Sequence, residues 1–405
     1  MSASAEHPAR DDGPGGWLIF AFAVSCAITV ANIYYAQPLI RPISESFGLD
    51  LSRAGIVMTM MLFGYVAGLF FLAPLGDLVE NKTLILVTLG ALIVSLLICA
   101  AAPTATIFAA STLLLGLTAV GTQMIMPVVA HLAPAQRRGH IVGTVVSGLL
   151  FGVLLSRPLA TMVAGSFGWR AVFVMSAALM CGVLVLMAMV LPRRMPQHTL
   201  TYAALIRSLW HLMRTTRILQ RRSAFQCLLF GSFSLFWTAM PLVLQEPPFS
   251  FGHLAMSAFL LSGAGGALIA PVAGKLADHG HGNTVTAVAM LTVLASFVLT
   301  AIAGMGHGAA AIALFVIAGI LIDAGTQASF VSGQRMIYNL PGDIRSRLNA
   351  LYLASAFFGG AVGSGLSGVA VTHGGTTMVA AIGIGVSLLA LALFGLDAAS
   401  RKKIG

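Results

Sequence analysis

The sequence predicts an all-α membrane protein with twelve transmembrane helices in two six-helix pseudo-repeats. Composition is the first observation: of 405 residues, 58% are apolar and only 8% charged. An ordinary soluble domain carries about 25% charged residues, so this chain cannot coat a water-facing surface and its solvent is lipid. Apolar stretches long enough to cross about 30 Å of hydrocarbon recur along the chain, each of about 20 residues at 1.5 Å per residue. Finally, motifs of the first half return in the second. The short alternating segments of a β-barrel are absent.

The elements follow in order. Residues 1–15, MSASAEHPARDDGPG, are polar and mixed in charge, without the basic start and small-residue cleavage site of a secretory signal; they read as a cytoplasmic tail. Spans are expected at 16–40, 54–76, 83–102, 105–132, 141–166, 169–192, 224–246, 254–277, 284–305, 308–334, 348–371 and 376–396. They form an N-terminal bundle over 16–192 and a C-terminal bundle over 224–396, followed by a cytoplasmic tail at 397–405. The polar interval 193–223 divides the two. Within it Leu205, Ile206, Leu209, Trp210, Leu212, Met213, Ile218 and Leu219 recur near helical spacing, interleaved with Arg207, Arg214, Arg217, Arg221 and Arg222. Two readings stand: a basic amphipathic helix lying on the inner leaflet, or a solvated linker whose arginines enforce topology. Cys26, Cys99, Cys181 and Cys227 fall in or beside apolar runs and read as small buried hydrophobes.

The formal net charge is +10. With the amino terminus inside, the inner segments hold Arg10, Lys82, Arg137, Arg138, the linker arginines, Lys275, Arg335, Arg345, Arg347, Arg401, Lys402 and Lys403. The outer loops hold only Arg41, Arg53 and Arg170. This asymmetry is what the positive-inside rule expects, so both termini are placed in the cytoplasm. The surplus is a topology signal and requires no nucleic-acid partner.

The repetition is specific. Ala73-Pro-Leu-Gly-Asp77 ends span two and Gly274-Lys-Leu-Ala-Asp278 ends span eight; Gly121-Thr-Gln123 in span four has its counterpart in Gly325-Thr-Gln327 in span ten. Repeats of six helices around a midplane cavity are a transporter architecture. On these residues the chain resembles the major facilitator superfamily over essentially its whole length. The family's marker G-x-L-A-D-R-x-G-R-R/K is present in worn form: Ala73, Leu78 and Glu80 replace its first glycine, first arginine and second glycine, while Asp77 and Lys82 are kept. The second copy keeps Gly274, Leu276, Ala277 and Asp278 but has His279, Gly282 and Asn283 at the basic positions. The resemblance implies that Asp77, Lys82, Gly274 and Asp278 are gating residues, pairing helix ends on the inner side in the outward-facing state. Asn32-Ile-Tyr-Tyr-Ala-Gln-Pro38 is similar to a bacterial subgroup described as efflux transporters. Gly139, Gly148 and Gly152 match the first three glycines of the family's antiporter motif G-x8-G-x3-G-P-x2-G-G; Val153 and Ser156-Arg157 depart from the rest. In the family, spans one, four, seven and ten line the central cavity.

Two ionisable residues lie well inside spans, where a charge costs about 2.5–3.5 kcal/mol even on the insertion scale. Asp323, mid-span ten, is expected to be the proton-coupling group, because a buried carboxylate can exchange protons; the other reading is a fixed ion pair. Arg157 keeps its proton and either binds an anionic group, holds a carboxylate or serves structure alone. It stands at a different estimated depth, nearer the outer side. The expected substrate cavity comprises Asn32, Tyr34, Tyr35, Gln37, Gln123, Arg157, Trp237 and Gln327. Neighbours on a helix differ by about 100°, so at least one of Tyr34 and Tyr35 should face lipid or the interface, with Asn32 and Gln37 turned inward. Gln123 and Gln327 either line the cavity or bond between helices. Trp237 either stacks on a solute or packs. Glu246 is expected to be solvated at the outer end of span seven, and His131 and Arg335 to be interface anchors.

No G-x-x-x-x-G-K-[ST] loop, H-E-x-x-H pair, in-span carboxylate dyad or G-x-S-x-G elbow is present. The expected function is therefore a secondary active transporter rather than an enzyme, with no cofactor and no metal. It would move a small solute across a bacterial inner membrane by alternating access, as proton-coupled efflux. A facilitator or proton-coupled uptake of a small metabolite is the alternative. The partners are a small-molecule solute, protons and the lipid bilayer, with the chain acting as a monomer.

Overall fold

The computed structural model describes residues 14–402 apart from 135, 196–200 and 341–343. Most of the expected 1–15 tail, Arg10, and residues 403–405 with Lys403 lie outside the described residues. Among the described residues no strand forms, and nine helices are long and apolar enough to cross a bilayer. Two of the nine are double. His253–Gly304 turns back at Gly280, whose φ of 86° suits a residue without Cβ, and Arg345–Ser400 turns at Gly375, with φ 54°. With the shorter Gly16–Ala31 the crossings number twelve. The remaining spans are Ile56–Asp77, Asn81–Ala101, Ala105–Leu132, Arg138–Phe167, Trp169–Val190, Arg217–Leu244 and Ala309–Tyr338.

Local chemistry sets several ends. Thr104 caps span four by accepting from the Ile107 amide at 3.3 Å. Glu80, standing where the family marker has a glycine, caps span three from the Thr83 amide at 3.0 Å. The Thr83 side chain also bonds that carboxylate, which is held below its usual range as a result.

Spans one and five, two and four, and three and six pack together in the first half. Seven on eleven and twelve, eight on ten, and nine on ten and twelve do so in the second. Glycines permit the tightest crossings. A Cβ on Gly116 would lie 1.9 Å from the Met61 carbonyl, and one on Gly363 1.9 Å from that of Gly231. The halves meet through span two against eleven, where Thr59 Oγ1 donates to the Ala361 carbonyl at 3.0 Å, and through five against eight and one against seven.

Three expectations require correction here. Span one is not a continuous helix over 16–40: it breaks after Ala31, residues 32–36 form turns, and a 3-10 turn at Gln37–Leu39 leads into Ile40–Ser46. The linker does not extend to 223, because the helix of span seven already begins at Arg217. Its own helix, Tyr202–Thr215, does not lay its apolar face on lipid. Leu209 packs with Leu219, Ile337, Leu348, Leu351 and Tyr352 under the second half, so protein takes the face the bilayer was expected to cover. Tyr202 also donates its hydroxyl to the Phe71 carbonyl of span two at 3.1 Å. Cys26 and Cys99 are buried, whereas Cys181 is exposed.

Arg221 pairs with Asp397 at 2.6 Å, which puts the start of span seven and the end of span twelve on one face, together with the linker. This is the terminal face. A cavity of about 500 Å³ opens on it between the halves, and a smaller pocket of about 190 Å³ lies on the far face between spans one, five, seven and eight.

A candidate solute and proton site between the two halves

The break in span one decides what its residues can do. At the C-cap of the first helix, Asn32 folds its amide back onto the Ile28 and Thr29 carbonyls at 2.9 and 3.2 Å, and its Oδ1 accepts from Ser176 of span six at 2.5 Å. It ties the break to the bundle. Tyr34 and Tyr35 are both buried, at 7% and 4% exposure, so neither faces lipid. The 100° argument fails because no helix runs through them. Tyr35 sits in the core, while Tyr34 and Gln37 reach the boundary between the halves.

At that boundary Arg157, 1% exposed, donates Nε–H to Gln37 Oε1 at 2.8 Å. Its guanidinium lies over the rings of Tyr34, Phe233 and Trp237, with centroids at 5.1, 5.3 and 4.8 Å. A desolvated cation–π contact contributes about 2 kcal/mol, so three of them rival the cost of the buried charge. Trp237 in turn donates Nε1–H to Asp323 Oδ2 at 2.6 Å. Arg157 and Asp323 do not form a direct ion pair. Their different depths are nonetheless bridged: the Cβ that Gly263 lacks would stand 3.3 Å from Arg157 Nη1 and 3.6 Å from Asp323 Oδ1. Charge from the first half and charge from the second thus share one indole. Arg157 Nη2 is buried without a hydrogen-bond partner.

Trp237 is 0% exposed, so in this state it presents no face to a solute; its part is to hold Asp323 and Arg157. The polar chain continues from Gln37 Nε2–H to Thr238 Oγ1 at 3.3 Å and on to Ser364 Oγ at 3.1 Å, joining spans one, seven and eleven. Beneath it lie four packed rings. Phe233 stacks on Phe230 at 5.1 Å, Phe230 meets Phe357 at 4.8 Å, and Phe357 meets Tyr65 at 4.5 Å.

Gln123 begins the second segment of span four, after a turn at 119–120, and donates to Tyr65 Oη at 3.4 Å. Alone among the residues expected in the substrate cavity, it lines the cavity open to the terminal face. That cavity also takes Asp77, Asn81 and Arg194 from the first half, and Tyr338, Arg345, Arg347 and Asn349 from the second. Gln327 is half-buried beside Gly266, and Lys82 half-buried in the first turn of span three. Gly274 leaves room for Val331 and Arg335, and Asp278 pairs with Arg335 at 3.7 Å. Arg335 is therefore the partner of an acid at the end of span eight.

Sequence reasoning missed several of these groups. Phe230 and Phe233 fall on the face of span seven that carries Trp237, a periodicity that could have been read. Thr238 and Ser364 carried no signal. Arg222 was taken for linker; it is buried, bonding Thr286 Oγ1 at 2.6 Å and Asn283 Oδ1. Glu246, expected to be solvated, is 46% exposed and also pairs with Arg41 at 2.7 Å.

Comparison with known proteins places this arrangement. The family model of the Major Facilitator Superfamily matches residues 18–332 and, in a second overlapping match, 223–404. The chain is 36% identical over 378 residues to the "Uncharacterized transporter YgaY" of Escherichia coli O157:H7, covering 92% of this chain and 94% of that one. A "Probable transporter" of Streptomyces coelicolor is 32% identical over 376 residues, covering 91% and 86%. Among solved structures, the nucleoside transporter NupG superposes with a TM-score of 0.74 at 13% identity, covering 94% of this chain and 99% of that one. That last likeness is one of fold.

Proposed function

The chain belongs to the major facilitator superfamily, a family of non-enzymatic carriers, and from that premise we propose that it exports a small solute by proton-coupled alternating access. The N-terminal bundle rocks against the C-terminal bundle, whose first helix begins at Arg217, and the chain works as a monomer. The membrane is the bacterial inner membrane, with the terminal face in the cytoplasm, as the lysines and arginines argue. The cavity bordered by Asp77, Gln123 and Arg347 then loads solute from the cytoplasm.

One observation carries the reading: Arg157 and Asp323, from opposite halves, are both held by Trp237, one over its face and one at its N–H, in the closed part of the molecule. With Asp323 ionised, its attraction for Arg157 and its charge-assisted bond from the indole help hold the halves together. A proton on Asp323 removes the first and weakens the second, so proton binding and opening are linked. Gln37 fixes Arg157, and Tyr34 and Phe233 confine it. The antiport direction is supported by the glycines of span five. A Cβ on Gly148 would lie 2.8 Å from Ala23 Cβ, and one on Gly152 2.3 Å from the Ala27 carbonyl, so the motif presses span five onto span one. Asp77 and Lys82, with Gly274 and Asp278, are proposed to close the terminal face in the alternate state.

The test has two stages. A resistance screen of a deletion strain against drugs, metals and metabolites identifies the solute, and its flux is then followed in proteoliposomes under an imposed pH gradient. Flux should follow the gradient in the native chain and lose that response in Asp323→Asn. A native flux indifferent to the gradient would overturn proton coupling.

A further inference from the structure

Contacts between the halves on the far side of the molecule form a ladder. It climbs from Gln37 with Thr238, through Ser257 Oγ donating to the Pro158 carbonyl at 3.4 Å, to His253 packed on Gly165. At its outer end stands an ion pair that crosses between the bundles. Arg41 Nη1 meets Glu246 Oε1 at 2.7 Å, while Arg41 Nε is held by Glu45 Oε1 at 2.8 Å.

Arg41 lies on Ile40–Ser46, the short helix that follows the break in span one, and Glu246 lies just past the end of span seven at Leu244. Arg41 is 28% exposed and Glu246 46%, so the pair sits at the rim, where water can compete for both partners once they part. Glu45 fixes Arg41 from its own helix one turn on, so the guanidinium is positioned before Glu246 arrives. The open cavity lies at the other end of the molecule. Parting spans one and seven at the far face must therefore break this contact, while opening the terminal face leaves it intact.

We propose that Arg41 and Glu246 form the far-face gate and are positioning residues that set the balance between the two states of the transporter. Arg41 closes on Glu246 when the cavity opens to the terminal face, and the two separate when the far side opens. The inference rests on alternating access and is independent of proton coupling through Asp323. A rim pair of this exposure is small in energy, so its loss moves the balance by about two- to five-fold rather than abolishing closure. A charge reversal adds repulsion and moves it further.

The test reads accessibility and needs no solute. In a background with Cys26, Cys99, Cys181 and Cys227 replaced by serine, two reporters are installed separately: Ser257→Cys, buried between the halves on the far side, and Asn349→Cys, on the wall of the open cavity. A maleimide labels each in Arg41→Glu, Glu246→Arg, the swapped double variant, and the milder Arg41→Gln. Size-exclusion chromatography selects folded protein. The expected result is reciprocal: Ser257→Cys reacts about two- to five-fold faster in Arg41→Gln and more so in the reversals, Asn349→Cys reacts more slowly, and the swap restores both rates. Unchanged rates at Ser257→Cys in the single variants, or a swap that restores nothing, overturn the gate and leave alternating access standing. Faster labelling at both reporters together overturns alternating access, and the gate with it.

Discussion

A charge in the bilayer has to be explained by its neighbours, and Arg157 and Asp323 explain one another through Trp237. Removing one member of a buried charge pair strands the other, at a cost of about 3–5 kcal/mol, whereas neutralising both can be nearly free. Asp323→Asn alone should therefore lower the melting temperature in detergent, by an amount near the lower end of that range since no direct N–O contact is lost. Arg157→Gln combined with Asp323→Asn should recover most of it. A double variant no more stable than the single one would mean that the two charges do not compensate each other. Both residues were legible in the sequence, because the cost of burying charge singles them out without knowledge of the fold. Tyr34 and Tyr35 were misread for an equally physical reason: the inference assumed a helix through 32–36, and Asn32 and Pro38 sit at the ends of a break. Glu246 escaped because its partner, Arg41, lies on another span, and a rim carboxylate looks the same in sequence whether paired or solvated.

At the scale of elements, apolar runs located the helices well, but which faces meet depends on small residues whose role only packing reveals. Gly64 and Gly116 mark the crossing of spans two and four. Cβ atoms there would come within 2.0 Å of the Leu113 carbonyl and 1.9 Å of the Met61 carbonyl, both backbone atoms that cannot swing aside. Gly182 on span six has nothing within 4 Å. Gly116→Ala should accordingly destabilise the folded protein by about 1–3 kcal/mol, while Gly182→Ala should be neutral or slightly stabilising, since alanine is the better helix former. Thermal melts of the two variants, each differing by one methyl group, separate packing from propensity; equal melts would refute the crossing. The start of span seven was hidden by the same limitation. Arg221 and Arg222 look like linker until Asp397, Thr286 and Asn283 are brought beside them from other spans.

For the whole molecule, internal repetition disclosed the two halves, but not which way the cavity opens. That is fixed by contacts between residues far apart in the chain, and no local pattern encodes it. The far side is closed where His253, at the start of span eight, lies against Gly165 near the end of span five. A Cβ on Gly165 would stand 3.1 Å from that of His253. Disulfides need Cβ atoms about 3.5–4.5 Å apart, so a relaxation of a few tenths of an ångström admits a bridge between Gly165→Cys and His253→Cys, and replacing histidine also removes the ring that would otherwise clash. In a background lacking the four native cysteines, oxidation should join the halves on the far side and stop transport, and a reductant should restore it. The oxidised form should still label Asn349→Cys on the terminal-face cavity, because the lock holds the molecule in the state described here. If the bridge forms and transport continues, spans five and eight need not part during the cycle, and the far exit must lie elsewhere between the bundles.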